Sequence, residues 1–407
     1  MNVLIEIVHP AHFYYYRDTI ANLKRDGHKV IVAIVTKDVL EDVVRQSGVE
    51  YVNICPKPHK KYGKIGVAYD MVMRDLRMLW LALRHRVDII TGSTIETAHI
   101  GWLLRKPNIN IGEDDAAVVM KYIKQIKPFV GIRLTPDCTD NGPIEPKSIH
   151  FPGYYKTAYL RPGYFTADAA VPARYGIKVS GDGLAVSGEP YFLIRFSALN
   201  AHHDKGIKGI SNEIAERLVK ILEPFGTIYI TSERPLEPQF EKYRIKINPL
   251  DMHHVMAFAS LYIGDSQTMA AEAGVLGVPF VRFNDFVGRI GYLRELEDVY
   301  ELGYGIHATP ITVSGEGLAV SGSGAGDVIR RNDGTVQPSG VEELYKRVEE
   351  LVAMPSDQRR KLWSARRNQM LRDKVDCAKF LTWFIENYPQ SAEQTRKADI
   401  SFWTQFR

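Results

Sequence analysis

The chain has 407 residues, which is long for a single hydrophobic core and predicts two domains. Apolar residues make up 45% and charged residues 25%, as in soluble globular proteins, and the net charge of +4 is too small to indicate nucleic acid as a partner. No apolar run matches a secretory signal or reaches the roughly 18 residues of a membrane span, so we expect a cytoplasmic protein.

The first half of the chain alternates short apolar runs with helical stretches. The runs predict strands at Val3–Val8, Val30–Val35, Tyr51–Ile54, Asp88–Ile90, Ile109–Ile111 and Ile132–Leu134. The stretches between them predict helices at Tyr14–Arg25, Asp38–Gln46, Val67–Arg84 and Glu96–Arg105. Strand–helix alternation of this kind predicts a parallel sheet covered on both faces.

A second series of the same kind begins near Tyr191. Its predicted strands are Phe192–Phe196, Thr227–Ile230, Leu261–Ile263 and Phe280–Phe283, with helices near Ser211–Leu222, His253–Ala259 and Met269–Leu276. We therefore expect an N-terminal Rossmann-like domain over 1–165, a second over 190–340, and a helical tail over 341–407 that packs back on the first. Ligands of open parallel sheets lie beyond the carboxyl ends of the strands, so we expect the site in a cleft between two facing sheets.

The segment Gly264–Ala273 is the most informative stretch of the second series. It follows a buried strand and reads as a polar turn that opens a small-residue helix. The free N–H groups and the dipole at such a helix start favour a phosphate. Thr268 and Glu272 are four residues apart and share one helical face, which places a carboxylate within reach of a ribose.

Candidate catalytic groups follow strands of the first series. His9 and His12 come after the first strand, where a neutral imidazole can act as a base, although His12 could instead cap the next helix. Glu113 opens a run of three carboxylates with Asp114 and Asp115, and mutual repulsion there favours a general base. The alternative for that run is an acidic helix start with Asp114 or Asp115 as the N-cap.

Further candidates end strands of the second series. Arg195 can clamp a diphosphate or form an interdomain salt bridge, and the loop Asn200–Asp204 after it carries His202 and His203. Candidates for the nucleotide and its sugar also include Ser232, Glu233, His253, His254, Asn284, Phe286, Gly288 and Arg289. His253 and His254 could each equally be an ordinary surface residue.

The segment Lys57–Arg86 interleaves basic and apolar residues. Its basic members are Lys57, Lys60, Lys61, Lys64, Arg74, Arg77, Arg84 and Arg86, and its apolar members include Met71, Met73, Met78, Leu79 and Trp80. Such a segment can lie on an anionic membrane at the inner face, or it can be a helix with a buried stripe and solvated charges.

Two features carry no chemistry in this reading. A ten-residue segment, Val179–Gly188, recurs as Val313–Gly322 with one difference. Its glycine and serine content predicts flexible surface loops, and a glycine-rich phosphate loop is the alternative. The three cysteines are scattered without metal-ligand spacing, so we expect no metal site and no resident cofactor.

Several stretches resemble an uncharacterised prokaryotic family, domain of unknown function 354. They are His9–His12, Gly153–Leu160, Arg195–Asp204, Gly264–Ala273 and Phe286–Leu293. That family has no established activity to lend.

More distantly, the chain is similar to the glycosyltransferase-B superfamily, which includes nucleotide-sugar transferases and UDP-N-acetylglucosamine 2-epimerases. The epimerase motif Asp-Ser-Gly-Gly-x-Gln-Glu-Glu-Ala agrees with this chain at Asp265, Ser266, Glu272 and Ala273, whereas Gln267 and Thr268 replace the two glycines. The resemblance implies that the turn faces phosphate and that Glu272 holds the ribose.

The same comparison separates the subclasses. The epimerases carry an acid after the fourth strand, where this chain has Ser93 followed by Thr94, and a second carboxylate that Glu113 matches. The resemblance therefore implies two facing doubly wound α/β domains and a metal-independent glycosyltransferase with a nucleotide-diphosphate sugar, of UDP type, as donor. The acceptor would be a glycan, a lipid-linked or a small molecule. A 2-epimerase and a non-catalytic nucleotide-sugar binder are the alternatives, and the oligomeric state stays open.

Overall fold

The structure, a computed structural model, describes residues 1–59, 62–179, 189–197, 209–309 and 340–407, with the pairs 312–313, 318–319, 329–330 and 336–337. The chain divides into two compact units. Unit 1 comprises Met1–Tyr164 and Leu371–Arg407, and unit 2 comprises Phe165–Met370. Lys60, Lys61 and most of both repeat segments lie outside the described residues.

Unit 1 is built on a seven-stranded parallel sheet in the order β3-β2-β1-β4-β5-β6-β7. Its strands are β1 Asn2–Ile7, β2 Lys29–Val35, β3 Val52–Cys55, β4 Ile89–Gly92, β5 Asn108–Ile111, β6 Ile132–Pro136 and β7 Ser148–Phe151. Its first helices are α1 Pro10–Arg25, α2 Leu40–Gln46, α3 Gly63–Arg84, α4 Ile95–Leu104, α5 Ala116–Ile126 and α6 Thr157–Leu160.

The central strand of unit 1 shows why this sequence forms a covered sheet. Val3, Leu4, Ile5 and Ile7 of β1 have no solvent exposure, because helices cover both faces of the sheet. The one charged side chain on this strand, Glu6, is fully buried as well. The chain then enters α1 through a helix start with proline at the first position, where no N–H is needed.

Unit 2 has a five-stranded parallel sheet in the order β12-β11-β10-β8-β9. The strands are β8 Tyr191–Phe196, β9 Thr227–Ser232, β10 Leu261–Gly264, β11 Phe280–Phe283 and β12 Gly303–Ile306. The two-residue strands β13 Thr312–Val313, β14 Leu318–Ala319, β15 Ile329–Arg330 and β16 Val336–Gln337 form two antiparallel pairs. The helices are α7 Ala170–Ala173, α8 Asn212–Leu222, α9 Met252–Ala257, α10 Gln267–Leu276, α11 Gly291–Arg294, α12 Gly340–Ala353 and α13 Ser356–Asp373.

The C-terminal helices contribute to both units. Trp363 of α13 donates its indole N–H to Leu302 O at 2.8 Å, which fixes α13 within unit 2. The remaining helices, α14 Cys377–Glu386, α15 Gln390–Arg396 and α16 Ile400–Trp403, belong to unit 1. There the ring of Phe380 lies 5.1 Å from that of Phe151.

The predicted architecture of two parallel-sheet α/β domains with helices at the C-terminus is confirmed. The structure adds two sheet-edge strands, β7 and β12, to those that the apolar runs predict. Among the described helices, none combines the length and the apolar character needed to cross a bilayer.

Candidate functional site

The strand order of unit 1 reverses between β1 and β4, and this switch point organises the predicted residues of the first half. Loops that leave neighbouring strands toward opposite faces open a crevice at their carboxyl ends, where ligands of such sheets bind. His9 and His12 follow β1, Ser93 and Thr94 follow β4, and Glu113 follows the next strand, β5.

The two histidines after β1 have different roles. His9 is the N-cap of α1, where its Nδ1 accepts the N–H of Ala11 at 3.2 Å. The capping function considered for His12 therefore belongs to His9. The two rings lie 5.6 Å apart.

His12 has a neutral imidazole, the form of the ring that can accept a proton. Burial, followed by the nearby His9, Lys37 and Lys156, holds the pKa of His12 well below its ordinary value, so its imidazole is neutral at neutral pH. Its Nδ1 atom is enclosed and has no hydrogen-bond partner among the described residues.

Glu113 lies in a buried polar cluster with Tyr15 and Lys156. The hydroxyl of Tyr15 donates to Glu113 Oε1 at 2.6 Å, and the ammonium of Lys156 pairs with the same oxygen. Lys156 is fully buried and Glu113 is 8% exposed. The second carboxylate oxygen, Oε2, is buried with no hydrogen-bond partner in the described part of the chain. One oxygen therefore anchors the carboxylate, and the other remains available for a ligand.

Asp115, two residues after Glu113, serves the local backbone. Asp115 precedes α5 as its N-cap residue without a side-chain capping bond, and its Oδ1 accepts the N–H of Asp140 at 3.1 Å. Of the three carboxylates, Glu113 is therefore the one whose surroundings indicate a chemical role.

A buried guanidinium lies beside the same loop. Arg133 is 2% exposed, and amide oxygens of Asn110 and Asn141 accept from it at 2.8 Å each. A Cβ on Gly112 would lie 2.3 Å from Arg133 Nη2, so any side chain there would have to displace the guanidinium. These amide partners are neutral, so the Arg133 charge adds positive potential beside Gly112, the residue before Glu113.

The residues after β4 pack on a second buried acid. Thr94 is the N-cap of α4 and donates its hydroxyl to Glu6, as Thr97 does at 2.8 Å. Burial, and then the neighbouring Glu96, raises the pKa of Glu6 to about 8. The hydroxyl of Ser93 is enclosed and has no partner among the residues described. Thr94 thus has a structural role, whereas the Ser93 hydroxyl remains available.

In unit 2 the strand order reverses between β8 and β10, and the segment Gly264–Ala273 lies at this second switch point. Asp265 accepts the N–H of Ser197 at 2.7 Å, and its backbone carbonyl accepts the side-chain amide of Asn284 at 2.9 Å. Both side chains are buried, and burial raises the pKa of Asp265. The two hydrogen bonds tie the ends of β8, β10 and β11 together.

Helix α10 begins at this point with the free N–H groups that the sequence predicts. Ser266 is the N-cap, and its hydroxyl accepts the N–H of Met269 at 3.4 Å. The N–H groups of Gln267 and Thr268 have no acceptor in the described chain. Gln267 Oε1 accepts from the buried Arg282 at 2.8 Å, which holds the first turn against β11.

Glu272 lies one turn further along α10. It is 5% exposed, and its Oε1 is 3.1 Å from Nε2 of the buried His253. His253 is therefore not an ordinary surface histidine: it is buried, and it orients the carboxylate predicted to hold a ribose. Its neighbour His254 accepts the N–H of Asp168 at Nδ1, 3.0 Å away, and burial lowers its pKa.

Three other predicted residues lie at or after strand ends of unit 2. Arg195, at the end of β8, pairs with Glu233 of the same unit, and its Nε is buried without a partner in the described chain. The Ser232 hydroxyl closes a local turn, donating to Arg234 O at 2.6 Å. Arg289 is exposed. The histidines of the loop Asn200–Asp204 lie outside the described residues.

The structure thus assembles two clusters, one in each unit. The unit 1 cluster comprises His9, His12, Tyr15, Glu113 and Lys156, and the unit 2 cluster comprises Arg195, Asp265, Ser266, Gln267, Thr268, Glu272 and Asn284. Sequence reasoning missed Tyr15, Lys156 and the buried acid Glu6. A lysine between aromatic residues in Gly153–Leu160 was the available signal for Lys156, since a charge in an apolar run requires a partner.

Comparison with known proteins supports the fold and no closer relationship. No family model matches the chain, so the resemblance to domain of unknown function 354 is not confirmed. No curated protein matches its sequence.

Several solved structures share the architecture. The Staphylococcus aureus protein MnaA, solved with UDP, aligns with a TM-score of 0.61 at 8% identity, over 96% of this chain and 97% of that one. A putative UDP-N-acetylglucosamine 2-epimerase from Listeria monocytogenes aligns at 0.59 and 10% identity, over 98% of each chain. The spinosyn rhamnosyltransferase SpnG, solved with its aglycone, aligns at 0.57 and 14% identity, over 95% of this chain and all of that one. The chain therefore has the glycosyltransferase-B type of fold.

Proposed function

We propose that this protein is a metal-independent glycosyltransferase that uses a nucleotide-diphosphate sugar, of UDP type, as donor. The observation that carries the proposal is the start of α10 at a switch point, where two N–H groups without acceptors in the described chain precede Glu272 by about one turn. Similarity to a protein solved with UDP and to a rhamnosyltransferase solved with its aglycone supports the choice of substrates.

In this proposal unit 2 binds the donor. The diphosphate accepts hydrogen bonds from the N–H groups of Gln267 and Thr268, and Arg195 supplies a positive charge. Glu233, the present partner of Arg195, has a side chain that is 50% exposed, so exchanging it for a phosphate costs little. Glu272 accepts the ribose hydroxyls, with its carboxylate held in place by His253.

The candidate bases belong to unit 1. The acceptor hydroxyl loses its proton to His12 or Glu113 while its oxygen bonds to the anomeric carbon of the sugar. The bond from that carbon to the diphosphate oxygen breaks, and the diphosphate leaves with both electrons of the bond. Ser93 and Arg289 remain candidates for contacts with the sugar or the acceptor. The side chain of Asn284 is instead fully buried and hydrogen-bonded to Asp265 and Phe286, which gives it a structural role.

A thermal-shift series with UDP, GDP, CDP, ADP and TDP tests donor binding. A ligand that binds only the folded state raises Tm, by a free energy of about 2.7 kcal/mol at one hundred times its Kd. We expect UDP to give the largest shift. No shift with any nucleotide would refute the proposal.

Comparing UDP with an analogue that lacks the ribose hydroxyls distinguishes the loss of a ribose contact at Glu272 from a general destabilisation of the protein. We expect Glu272→Gln to weaken UDP binding, and we expect UDP and 2′,3′-dideoxy-UDP to bind the variant with similar affinity. The exposed Glu237→Gln is the matched control and should behave as wild type. An equal loss for both ligands would place the ribose elsewhere.

A UDP-N-acetylglucosamine 2-epimerase is the second candidate, favoured by the similarity to the Listeria protein and by the match of Glu113 to a family carboxylate. Ser93, at the position of the other family acid, opposes it. Incubation with UDP-N-acetylglucosamine in D₂O decides between them, because epimerisation at C2 exchanges that carbon-bound hydrogen for deuterium. Deuterium at C2 would replace the transferase proposal, whereas UDP binding without exchange or transfer to any acceptor would indicate a binding protein.

A further inference from the structure

Helix α3 presents an apolar face to solvent. Six apolar side chains recur at intervals of three and four residues, which places them on one side of the helix. Their exposed fractions are 82% for Ile65, 52% for Tyr69, 54% for Val72, 53% for Leu76, 54% for Trp80 and 60% for Leu83. A stripe of this kind normally faces a core, and here it faces outward.

The opposite side of α3 explains why this stripe is held outward. Gly66, Met78, Leu81 and Ala82 are buried against unit 1. A Cβ on Gly66 would lie 2.0 Å from the carbonyl oxygen of His59, so the backbone is in close contact there. The apolar face is therefore a fixed feature of a packed helix.

The neighbouring helix carries two more exposed apolar side chains. Helix α4 packs on α3 and ends with Trp102 and Leu103, which are 58% and 54% exposed. We call the six α3 side chains together with Trp102 and Leu103 the apolar face. Tyrosine and tryptophan, three of its eight members, are the side chains that concentrate at membrane interfaces.

The exposed charged side chains within α3 and α4 are basic, and each acid of the two helices lies beside a histidine or an arginine. The acids of α3 and α4 are all paired: Asp70 with His59 at 2.6 Å, Asp75 with His99 at 3.0 Å and Glu96 with Arg74 at 2.5 Å. Exposed basic side chains lie at the ends of the two helices, at Lys64, Arg84, Arg86, Arg105 and Lys106. The guanidinium of Arg84 lies 5.2 Å from the ring of Trp80.

We propose that the apolar face docks on the surface of an anionic lipid membrane, with the helices lying in the interface. Apolar side chains that enter the acyl boundary, flanked by basic side chains that meet lipid headgroups, are the chemistry of interfacial binding. The basic ends favour this occupant over a second copy of the chain. Antiparallel pairing of two α3 helices would bring Lys64 of one near Arg84 of the other, and like charges repel.

Vesicle sedimentation with the full-length protein tests the docking. We expect binding to vesicles of phosphatidylglycerol and phosphatidylcholine, weaker binding at high salt, and little binding to phosphatidylcholine alone. The pair of substitutions Leu76→Asp and Trp80→Asp should reduce binding at least about tenfold, and charge removal at Lys64 about fivefold. Ile400→Asp, at a side chain 78% exposed, is the matched control and should bind as wild type.

Quenching by brominated lipid gives a readout of position. We expect the wild-type fluorescence to be quenched on binding, and most of that quenching to be lost when Trp80 and Trp102 are both changed to phenylalanine while binding persists. Failure of the wild type to bind anionic vesicles, or unchanged binding by the aspartate variant, would overturn the proposal. A wild-type dimer in light scattering that the aspartate variant dissociates would assign the face to a second copy instead. Nucleotide binding by unit 2 is independent of all these outcomes.

Discussion

Lys156 and Glu113 form a buried ion pair whose two halves can be removed separately. Lys156 is fully buried, and Lys156→Met leaves the Glu113 carboxylate with Tyr15 as its remaining partner among the contacts described above. Breaking one half of a buried pair costs about 3–5 kcal/mol, because the other charge stays desolvated. We expect the same cost for Glu113→Gln, which leaves the ammonium buried.

The double variant should be more stable than either single variant. Methionine approximates the lysine stem, and glutamine can still accept from Tyr15, so replacing both charges by neutral groups of similar shape is nearly neutral. The interaction free energy from the four proteins is therefore expected to be at least about 3 kcal/mol.

Thermal unfolding followed by circular dichroism measures this cycle. For a unit of this size about 1 kcal/mol shifts Tm by 2–4 °C, so each single variant should melt roughly 6–20 °C below wild type. Lys106→Met, at an exposed lysine, is the control and should stay within about 0.5 kcal/mol of wild type. A double variant that loses the sum of the single losses would show that the two groups are not coupled.

Three further outcomes follow from buried groups of unit 1. The unfolded chain protonates His12 near pH 6.5 and the folded chain only at lower pH, so acidification below 6.5 should lower Tm less in His12→Gln than in wild type. For Glu6 the unfolded chain releases its proton near pH 4.5 and the folded chain near 8. The free energy of unfolding should therefore fall as pH rises through that window, by at most about 5 kcal/mol, and Glu6→Gln should flatten this dependence of stability on pH. Gly112→Ala should cost about 1–3 kcal/mol in urea unfolding, since the new methyl group would displace Arg133, and a variant as stable as wild type would contradict that packing.

The sequence predicted the sheets well because their central strands are continuous apolar runs. It missed β12, whose residues are Gly303-Tyr-Gly-Ile306, because a glycine-rich edge strand has no periodic apolar signal. It also missed the partners of Glu113, since Lys156 lies 43 residues further along the chain and only the folded sheet brings the two together. Glu6 was hidden for a similar reason: it stands within an apolar run, and its threonine partners lie about 90 residues away.

The buried pair also bears on which group acts as the base. If Glu113 took the acceptor proton, Lys156 would lose the negative charge that compensates it in a fully buried position. If His12 took the proton, the new imidazolium would form beside Tyr15, whose ring is 5.8 Å from that of His12. The hydroxyl of Tyr15 is in turn 2.6 Å from the Glu113 carboxylate, so Tyr15 connects the two groups.

The arrangement therefore favours His12 as the base, with Glu113 holding Tyr15 and stabilising the protonated ring. With the donor that thermal shift identifies, we expect His12→Gln to abolish the acidic limb of the pH profile of kcat along with most activity. Glu113→Gln should shift that limb to lower pH, because the protonated form of His12 no longer gains from the carboxylate and the buried Lys156 remains beside it. The two variants should move the limb in opposite directions. Losing the Lys156 charge alone raises the pKa of His12, so the limb should move to higher pH in Lys156→Met. Losing the carboxylate alone lowers that pKa, and an unmoved limb in Glu113→Gln would show that the carboxylate does not act on His12 directly.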